Sequence, residues 1–306
     1  MTHCPRARLY FPTPMDQRAR RGEHNFVNKL AEALVRVGWS LEIRTAGPVD
    51  PLAAAERDEY ALFLMQEPAH EKGLSLRVAY IMPFWRIERT AERWAFDVAR
   101  SDFDPGPVDP AEARRFARYW GRRKFGEAVD APRRTGMIYV ALQGHIGRRR
   151  SFQVMSPLDM LRETLMRAQG RPVIAGLHPK ESYSESDLRG LEKMRRAFPV
   201  LEVTEGGMEG HLRDCDFVVT QNSSIALMAM FFRKPAILFA RIDFHHAMLN
   251  VAEIGVDAAF DRVEGHAPDW DRYLLWFLKL SAINAGAPEA ASRIAARLRA
   301  LGWPLE

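Results

Sequence analysis

The sequence predicts an α/β fold made of two Rossmann-like, doubly wound domains. Its first half alternates short apolar runs with an amphipathic helical segment, and its second half contains four strand–helix repeats within about 100 residues. A segment rich in Pro, Gly and Asp separates the two halves. Such alternation is typical of parallel sheets with helices on their faces, which bind ligands at the carboxyl ends of their strands.

The first half begins with an apolar strand at residues 9–11, which Pro12 ends. A helix follows, because apolar residues recur on one face and Gly38 provides its end. That apolar face contains Phe26, Leu30, Leu34 and Val37. Further short strands are predicted at 41–43, 60–65 and 78–82.

The composition changes between residues 101 and 134. Residues 102–110 are predicted to form a loop, residues 111–125 a basic helix that carries Phe116, Tyr119 and Trp120, and residues 130–136 a polar connection. We therefore predict an N-terminal domain at 1–134, which includes this linker, and a C-terminal domain at 135–306.

The second half has the clearer pattern. A strand at 137–142 precedes a helix with Ser156 as N-cap, Pro157 at the first helical position and Asp159 at the third, and Gly170 ends that helix. Further strands are predicted at 172–177, 200–203, 216–220 and 235–240. These repeats indicate a doubly wound sheet.

The composition narrows the classes of function. Among 306 residues, 47% are hydrophobic, and 44 Lys and Arg against 39 Asp and Glu give a net charge of +5. Cys4 and Cys215 can form neither a disulfide framework nor a cysteine zinc site. The basic clusters carry no nucleic-acid-binding motif, so no nucleic-acid partner is predicted. A polar, basic start without an apolar stretch predicts a cytoplasmic protein without a signal peptide.

Polar residues follow four of the predicted strands, and they define the candidate binding site. The carboxyl ends of parallel strands meet at one edge of a sheet, so these residues should line one rim. They are Gln143-Gly144-His145, His178-Pro179-Lys180-Glu181, Thr204-Glu205-Gly206-Gly207 and Gln221-Asn222-Ser223-Ser224.

The turn at residues 222–224 has a specific use. Free amides and hydroxyls at the start of a helix bind anions, and the helix dipole favours a phosphate there. His178 could donate a second hydrogen bond to the same phosphate. Plain N-capping of the helix by Ser223 or Ser224 explains this turn equally well.

Taken together, three motifs resemble those of a known family. His178-Pro179 after one strand, Gln221-Asn222-Ser223-Ser224 after a later one, and Lys234-Pro235-Ala236-Ile237-Leu238 resemble the nucleotide-sugar domain of GT-B glycosyltransferases. They look most like bacterial capsule and surface-polysaccharide enzymes of the Kdo-transferase type, over residues 137–250. The resemblance implies two domains facing a cleft, a CMP-activated acid sugar as donor, and neither a further cofactor nor a metal.

The resemblance also implies roles for individual residues. The phosphate would be held by His178, Ser223 and Ser224, and the rest of the donor would be framed by Gln143, Pro179, Lys180, Glu205, Gln221 and Asn222. The N-terminal domain would supply the acceptor, a glycan or glycolipid, and a catalytic base. We favour Glu23 and Glu88 as the base over Asp16, His24, Glu67 and His70, although each could instead be a solvated charge or a helix cap.

Several alternatives stay open. The donor could be a UDP- or GDP-sugar, and the chain could be a non-catalytic glycan-binding or assembly protein of the same fold. The basic helix 111–125 could rest on anionic lipid at the inner membrane, bind glycan or join the domains. Asp102-Phe103-Asp104 and His245-His246 lack the context of a metal site. No Walker, G-x-G-x-x-G or G-x-S-x-G motif is present, which argues against kinases, nicotinamide enzymes and hydrolases.

Overall fold

The computed structural model describes residues 4–306 and divides into two compact units. The first contains the described residues up to Ser101 together with Trp276–Glu306, and the second is Asp102–Leu275. This division differs from the predicted one at residue 134, because helix 111–125 belongs to the second unit and the C-terminal segment to the first. No helix among residues 4–306 is both long and apolar enough to cross a membrane.

The first unit is built on a six-stranded mixed sheet. Its strands are β1 (Arg6–Phe11), β2 (Ser40–Thr45), β3 (Tyr60–Leu64), β4 (Gly73–Val78), β5 (Phe84–Glu88) and β12 (Ile283–Asn284). They lie in the order β12-β5-β4-β3-β1-β2. The four strands β1 to β4 are parallel, whereas β5 runs antiparallel to β4 and β12 antiparallel to β5.

Helices cover this sheet. They are α1 (Met15–Arg20), α2 (Asn25–Val35), α3 (Asp50–Glu56), α4 (Asp97–Arg100) and, near the C-terminus, α13 (Ala290–Ala300). The predicted apolar face of α2 is confirmed for Phe26, Leu30 and Leu34, which are all buried in the core that α2 shares with α13. Val37 lies beyond the end of the helix at Val35 and is only partly buried. Gly38, with φ of +74°, ends the turn that leads from α2 to β2.

The predicted strand at 78–82 is wrong. The strand β4 ends at Val78, and the next residues turn the chain into β5, with the amide of Ala79 donating to the carbonyl of Phe84 at 2.8 Å. Tyr80 adopts a φ of +65° within this turn. The apolar run 78–82 therefore contains the connection between two antiparallel strands, which hydrophobicity alone does not distinguish from a strand.

Arginine side chains of β5 and α13 help to hold the C-terminal segment in the first unit. Arg86 on β5 donates to the carbonyl of Phe277 at 2.8 Å and also to that of Ser281. Arg293 on α13 donates to the carbonyls of Lys279 and Leu280 at 3.0 and 2.8 Å. These guanidinium groups satisfy carbonyls at the end of the π-helical turn Leu275–Leu280, which helps to hold this segment in the first unit.

The second unit is built on a six-stranded sheet whose pairs are all parallel. Its strands are β6 (Ile138–Ala141), β7 (Val173–Leu177), β8 (Leu201–Glu205), β9 (Phe217–Thr220), β10 (Ala236–Leu238) and β11 (Leu249–Asn250). The order is β11-β10-β9-β6-β7-β8, so the chain winds outward in both directions from β6 and β9. The boundary between these two strands is the topological switch point, where open α/β sheets bind ligands.

The second unit contains eight α-helices among its residues. They are α5 (Pro110–Phe125), α6 (Pro157–Arg167), α7 (Glu185–Ala197), α8 (Met208–Asp214), α9 (Ser224–Ala229), α10 (Val251–Ile254), α11 (Val256–Val263) and α12 (Trp270–Leu274). The predicted start of α6 is confirmed, because the Ser156 hydroxyl accepts the amide of Asp159 at 3.1 Å. The predicted α/β architecture is likewise confirmed.

A matched pair of glycine substitutions tests the packing of this sheet. A Cβ at Gly176 on β7 would lie 2.7 Å from the hydroxyl of the buried Tyr139, whereas one at Gly210 on α8 would meet nothing within 4 Å. We expect Gly176→Ala to destabilise the protein by about 1–3 kcal/mol. Gly210→Ala should stabilise it by about 0.5–1 kcal/mol, because alanine suits a helix interior better. Urea unfolding measures both, and equal stability of the two variants would contradict this packing.

Candidate functional site

The candidate donor site is the rim of the second unit, defined as the residues that follow β6, β7, β8 and β9. The segment at the centre of the rim, Gln221 to Ser223, follows β9 directly, and all three residues are at most 5% exposed. The Thr220 hydroxyl at the end of β9 donates to the carbonyl of Ala141 on β6 at 2.8 Å. This bond fixes the two strand ends that flank the switch point.

Ser223 caps the helix α9, as the alternative interpretation of this turn predicted. Its hydroxyl oxygen accepts the amide of Ile225 at 3.3 Å, and Ser224, the first residue of α9, is exposed. A hydroxyl has one proton to donate as well as lone pairs to accept with. The capping role therefore leaves the Ser223 proton available to another acceptor.

His178 is held in a defined orientation after β7. Its Nδ1 atom accepts the amide of Lys180 at 3.1 Å, and its own amide donates to the hydroxyl of Tyr183 at 2.7 Å. In the neutral ring the proton is therefore on Nε2. His178, Pro179 and Lys180 are all exposed.

The strand order separates residues that the sequence suggested would meet. β6 lies between β7 and β9, so His178 and Ser223 are two strand spacings apart, roughly 10 Å. Glu205 is exposed at the end of β8, one strand further away. Gln143 follows β6 itself and lies between the two sides. A ligand that touches both His178 and Ser223 must therefore be about as long as a nucleotide.

A loop of the second unit, residues 143–156, crosses from β6 to β10 over the end of β9. Its outer part pairs with the chain after β10, because the amide of Val154 donates to the carbonyl of Phe239 at 2.8 Å and that of Arg241 to Phe152 at 3.0 Å. Gln221 donates its side-chain amide to the carbonyl of Met155 at 3.1 Å. The loop is therefore bound to the first of the buried rim residues, Gln221.

Two of the three consecutive arginines in this loop stabilise its shape. Arg149 donates to the carbonyl of Gln153 at 3.0 Å, and Arg150 donates to the carbonyl of Gly144 at 2.9 Å. The amide of Arg150 also donates to the buried side chain of Gln153 at 2.7 Å. The sequence showed this run only as a basic cluster, and nothing in its composition indicated that two of its members are bound to backbone.

Arg148, the remaining arginine of the run, lines a small cleft beside the rim. This cleft also contains His145, Ser184, Ser186 and Asp187. Asp187 is the buried residue of this lining. It accepts the amides of Gly147 at 2.8 Å and Ser184 at 3.1 Å, and these bonds connect the loop 143–156 to the start of α7. Of these residues, only His145 was among the rim residues expected from the sequence.

The two carboxylates that we favoured as the base are both engaged elsewhere. Glu23 is exposed and receives two hydrogen bonds from Arg21 at 2.8 and 2.9 Å, which lower its pKa. Glu88 is buried beside Arg297 at 2.7 Å, and burial raises its pKa although the guanidinium offsets part of the effect. Because β5 is antiparallel to β4, Glu88 lies opposite Ser75, near the amino ends of the parallel strands.

The two aromatic residues that precede Glu88 on β5 are not accessible to a ligand. Phe84 is fully buried and Trp85 is 1% exposed, since both belong to the core strand β5. Two other candidates have structural partners. Glu67 accepts the hydroxyl of Thr90 and the amide of Ala91 at 2.9 and 2.6 Å, and His70 contacts the carbonyl of Glu59 at 2.7 Å.

Asp16 differs from every other candidate carboxylate in the first unit. It lies on α1 just after the carboxyl end of β1, and it is 3% exposed. Its Oδ2 atom accepts the hydroxyl of Thr45, at the end of β2, at 2.6 Å. Its buried Oδ1 atom has no hydrogen-bond partner within residues 4–306. The bond from Thr45 lowers the pKa of Asp16, so the carboxylate is ionised at neutral pH.

Two neighbouring loops of the same sheet edge carry further unsatisfied atoms. Gln66 follows β3 and donates to the carbonyl of Gly47 at 2.9 Å, while its buried Oε1 has no partner in the described chain. His24 caps α2 through Nδ1, and its buried Nε2 likewise lacks a partner there. Burial lowers the pKa of His24, so its ring is neutral and Nε2 carries the proton.

The histidine pair in the second unit has aromatic and hydroxyl partners. His245 stacks on His246 with ring centroids 4.1 Å apart, and Nδ1 of His246 lies 3.1 Å from the hydroxyl of Tyr273. Within residues 4–306, no three His, Cys, Asp or Glu side chains are grouped as metal ligands. The pair therefore gives no support for a metal site.

Comparisons with known proteins identify the fold. No protein-family model matches the chain, and no curated protein matches its sequence. Among solved structures it is similar to the Thermosulfurimonas dismutans KpsC beta Kdo 2,7 transferase, with a TM-score of 0.53 and 11% identity over 97% of this chain and 99% of that one. This likeness confirms the predicted two-domain, GT-B-like α/β fold.

Two further structures are more distant. The T. dismutans KpsC beta Kdo 2,4 transferase gives a TM-score of 0.45 at 11% identity, over 89% of this chain and 90% of that one. S. aureus MnaA, in a co-structure with UDP, gives 0.38 at 11% identity over 96% of both chains.

The loop 143–156 provides a prediction about local opening. Arg150→Ala removes the hydrogen bond to the carbonyl of Gly144, and we expect amides at 144–153 and 221–223 to exchange roughly five- to tenfold faster, as about 1–1.5 kcal/mol of local stability is lost. Hydrogen exchange with mass spectrometry measures this. The control is Arg162→Ala, which removes an exposed arginine paired with Asp159 on α6. Unchanged exchange in Arg150→Ala would show that the side chain does not hold the loop.

Proposed function

We propose that this protein is a glycosyltransferase that moves a sugar from a nucleotide donor to a surface glycan or glycolipid. The observation that carries the proposal is the rim at the switch point of the second unit, in a chain that shares its fold with a beta Kdo 2,7 transferase. Binding at a switch point is the general rule for open α/β sheets. The motifs that carry the resemblance, after β7 and β9, belong to this rim.

The donor we propose is a CMP-activated, Kdo-like acid sugar. Its phosphate would receive hydrogen bonds from the hydroxyls of Ser223 and Ser224, and His178 Nε2, two strand spacings away, would donate to the far end of the donor. Gln143, Pro179, Lys180, Glu205 and Asn222 would frame the nucleotide and sugar. Gln221 contributes indirectly, because its side-chain amide is bound to the loop 143–156. Protein donors aimed at the leaving phosphate stabilise its charge, so the proposed reaction requires no resident metal.

Access to the inner part of this site depends on the loop 143–156. Asn222 and Ser223 are each 5% exposed, which is too little surface for a phosphate to contact fully. We propose that the loop moves when the donor binds. Ile146 anchors the start of the loop in the core, and Val154 and Met155 pack against that core at its end. The part between them is held by hydrogen bonds from Arg149 and Arg150, and such bonds exchange readily with water.

The base we propose is Asp16 rather than Glu23 or Glu88. A base must be ionised, near a strand's carboxyl end and able to accept one more hydrogen bond. Asp16 meets all three conditions: Arg20 lies 4.0 Å from its Oδ2, but its Oδ1 is unpartnered. Glu23 and Glu88 are held by closer arginines, at 2.8 and 2.7 Å. In the proposed step, Oδ1 takes the proton of the acceptor hydroxyl while that oxygen bonds to the anomeric carbon. The bond from this carbon to the phosphate oxygen breaks, and CMP leaves with the electron pair.

Gln66 and His24 would orient the acceptor beside this base. The oxygen Oε1 of Gln66 can accept from one sugar hydroxyl, and Nε2–H of His24 can donate to another. Unsatisfied buried polar atoms cost free energy in the free protein, and a hydroxylated ligand would remove that cost. The predicted cytoplasmic location, peripheral to the inner membrane, stays a prediction.

Nucleotide binding tests the donor. We expect CMP to raise the midpoint of thermal unfolding, because a ligand present at about 100 times its Kd stabilises the native state by about 2.7 kcal/mol. The shift should disappear in His178→Ala and persist in the control His266→Ala, whose ring contacts the carbonyl of Ala247 in another part of the second unit. A thermal shift with UDP or GDP instead of CMP would show that the donor carries that nucleotide. No shift with any of them would contradict nucleotide binding at the rim.

Substitution of Asp16 tests the base. Asp16→Asn keeps an acceptor for Thr45 but cannot take a proton, so we expect turnover to fall roughly 100- to 10,000-fold while the nucleotide-induced thermal shift is kept. Glu23→Gln should retain near wild-type activity. Because the pKa of Asp16 is lowered from 3.8, the rate should not fall as the pH is lowered from 8 to 5. A decline with a midpoint near 6.5 would indicate a histidine base instead.

A further inference from the structure

The helix α5 carries an exposed, basic face on the second unit. This arginine face consists of Arg115, Arg118, Tyr119, Arg122 and Arg123, which line one open groove. Residues 115, 118, 119 and 122 have the spacing i, i+3, i+4, i+7 and therefore share one side of the helix. Tyr119 is 57% exposed at the centre of the face.

The opposite side of α5 is packed against the second unit and keeps the helix in place. Ala113, Ala117 and Phe125 are buried, and the ring of Phe125 lies 5.0 Å from that of Phe232. Gly121 allows a close approach, because a Cβ there would lie 3.2 Å from the ring of Phe231. Asp109 caps the first turn by accepting the amides of Ala111 and Glu112. The arginines therefore project from a fixed support.

The charge of this face is only partly neutralised. Arg122 is paired with Asp130 at 2.8 Å, and the Arg123 guanidinium lies 5.7 Å from the ring centroid of Trp120. Arg115 and Arg118 form no hydrogen bond or ion pair with other described residues through their side chains. Like charges this close on a helix repel one another, and an anionic partner would relieve that repulsion.

The composition and shape of the face point to one kind of partner. Protein interfaces have an apolar core. Tyr119 is the one aromatic residue that lines the groove, and the other four are arginines, so the groove lacks such a core. The arginines extend along about 10 Å of a convex helix, which suits a broad anionic surface better than a small ligand. Tyrosine and arginine are both suited to the headgroup region of a bilayer, where an amphipathic ring and a cation remain hydrated.

We infer that the arginine face of α5 docks the protein on a membrane surface rich in anionic lipid. The contact is electrostatic and peripheral, because the face offers no aliphatic side chain for insertion. None of its residues belongs to the rim, so lipid docking does not depend on the proposed reaction. Membrane binding can therefore fail while nucleotide binding succeeds, and the reverse also holds.

Vesicle co-sedimentation tests this inference on the full chain. We expect binding to vesicles of phosphatidylcholine mixed with phosphatidylglycerol at low salt, release at high salt and no binding to phosphatidylcholine alone. Each cation near such a surface contributes roughly fivefold in affinity, so Arg115→Gln with Arg118→Gln should weaken binding about 25-fold. This double variant should keep the wild-type unfolding midpoint and the CMP-induced shift.

A second pair of substitutions controls for net charge. Arg189→Gln with Arg196→Gln removes the same charge from exposed positions on α7 and should leave vesicle binding within about twofold of wild type. If the two double variants bound vesicles equally weakly, a specific docking face would be overturned. The same would follow if the α5 double variant bound vesicles as tightly as the wild type. Failure to bind vesicles, together with binding to the soluble polyanion polygalacturonate that needs Arg115 and Arg118, would overturn lipid in favour of an anionic glycan.

Discussion

The position of β6 between β7 and β9 governs what the second unit can bind. Parallel strands place all their carboxyl ends at one edge, and the change of winding direction between β6 and β9 opens a crevice there. The hydrogen bond from Thr220 to Ala141 holds the two sides of this crevice together. His178 and Ser223 stand on either side of it, so the strand order sets the length of any ligand that both can touch.

Much of the secondary structure could be predicted from the sequence, because helix caps and apolar faces depend on residues that are close together in the chain. The capped start of α6 at Ser156 and the apolar face of α2 depend on residues a few positions apart. The return of α13 to the first unit depends on contacts such as Arg86 with Phe277, which are far apart in sequence. Strand order is equally non-local, so the sequence alone did not show that β6 lies between the strands that precede His178 and Ser223.

In the candidate site, likewise, the sequence shows the type of each residue but not the residues that it contacts. Acidic residues after a strand could be identified from the sequence, but whether each has a free oxygen depends on its neighbours. Glu88 was one of the two favoured candidates, yet the antiparallel direction of β5 places it at the other edge of the sheet, against Arg297. Asp16 was one candidate among several, and only its contact with Thr45 and its unpartnered Oδ1 distinguish it.

The division of the chain also has a consequence for its synthesis. The segment Asp102–Leu275 is inserted between two parts of the first unit, so the ribosome completes the second unit before Trp276–Glu306 exists. Until then the core face that α13 will cover remains exposed on α2. The first unit is therefore completed only after the whole second unit has been synthesised, and it joins chain segments separated by more than half the sequence. Because the entropic cost of closing a loop rises only with the logarithm of its length, a folded insert of this size is compatible with a stable first unit.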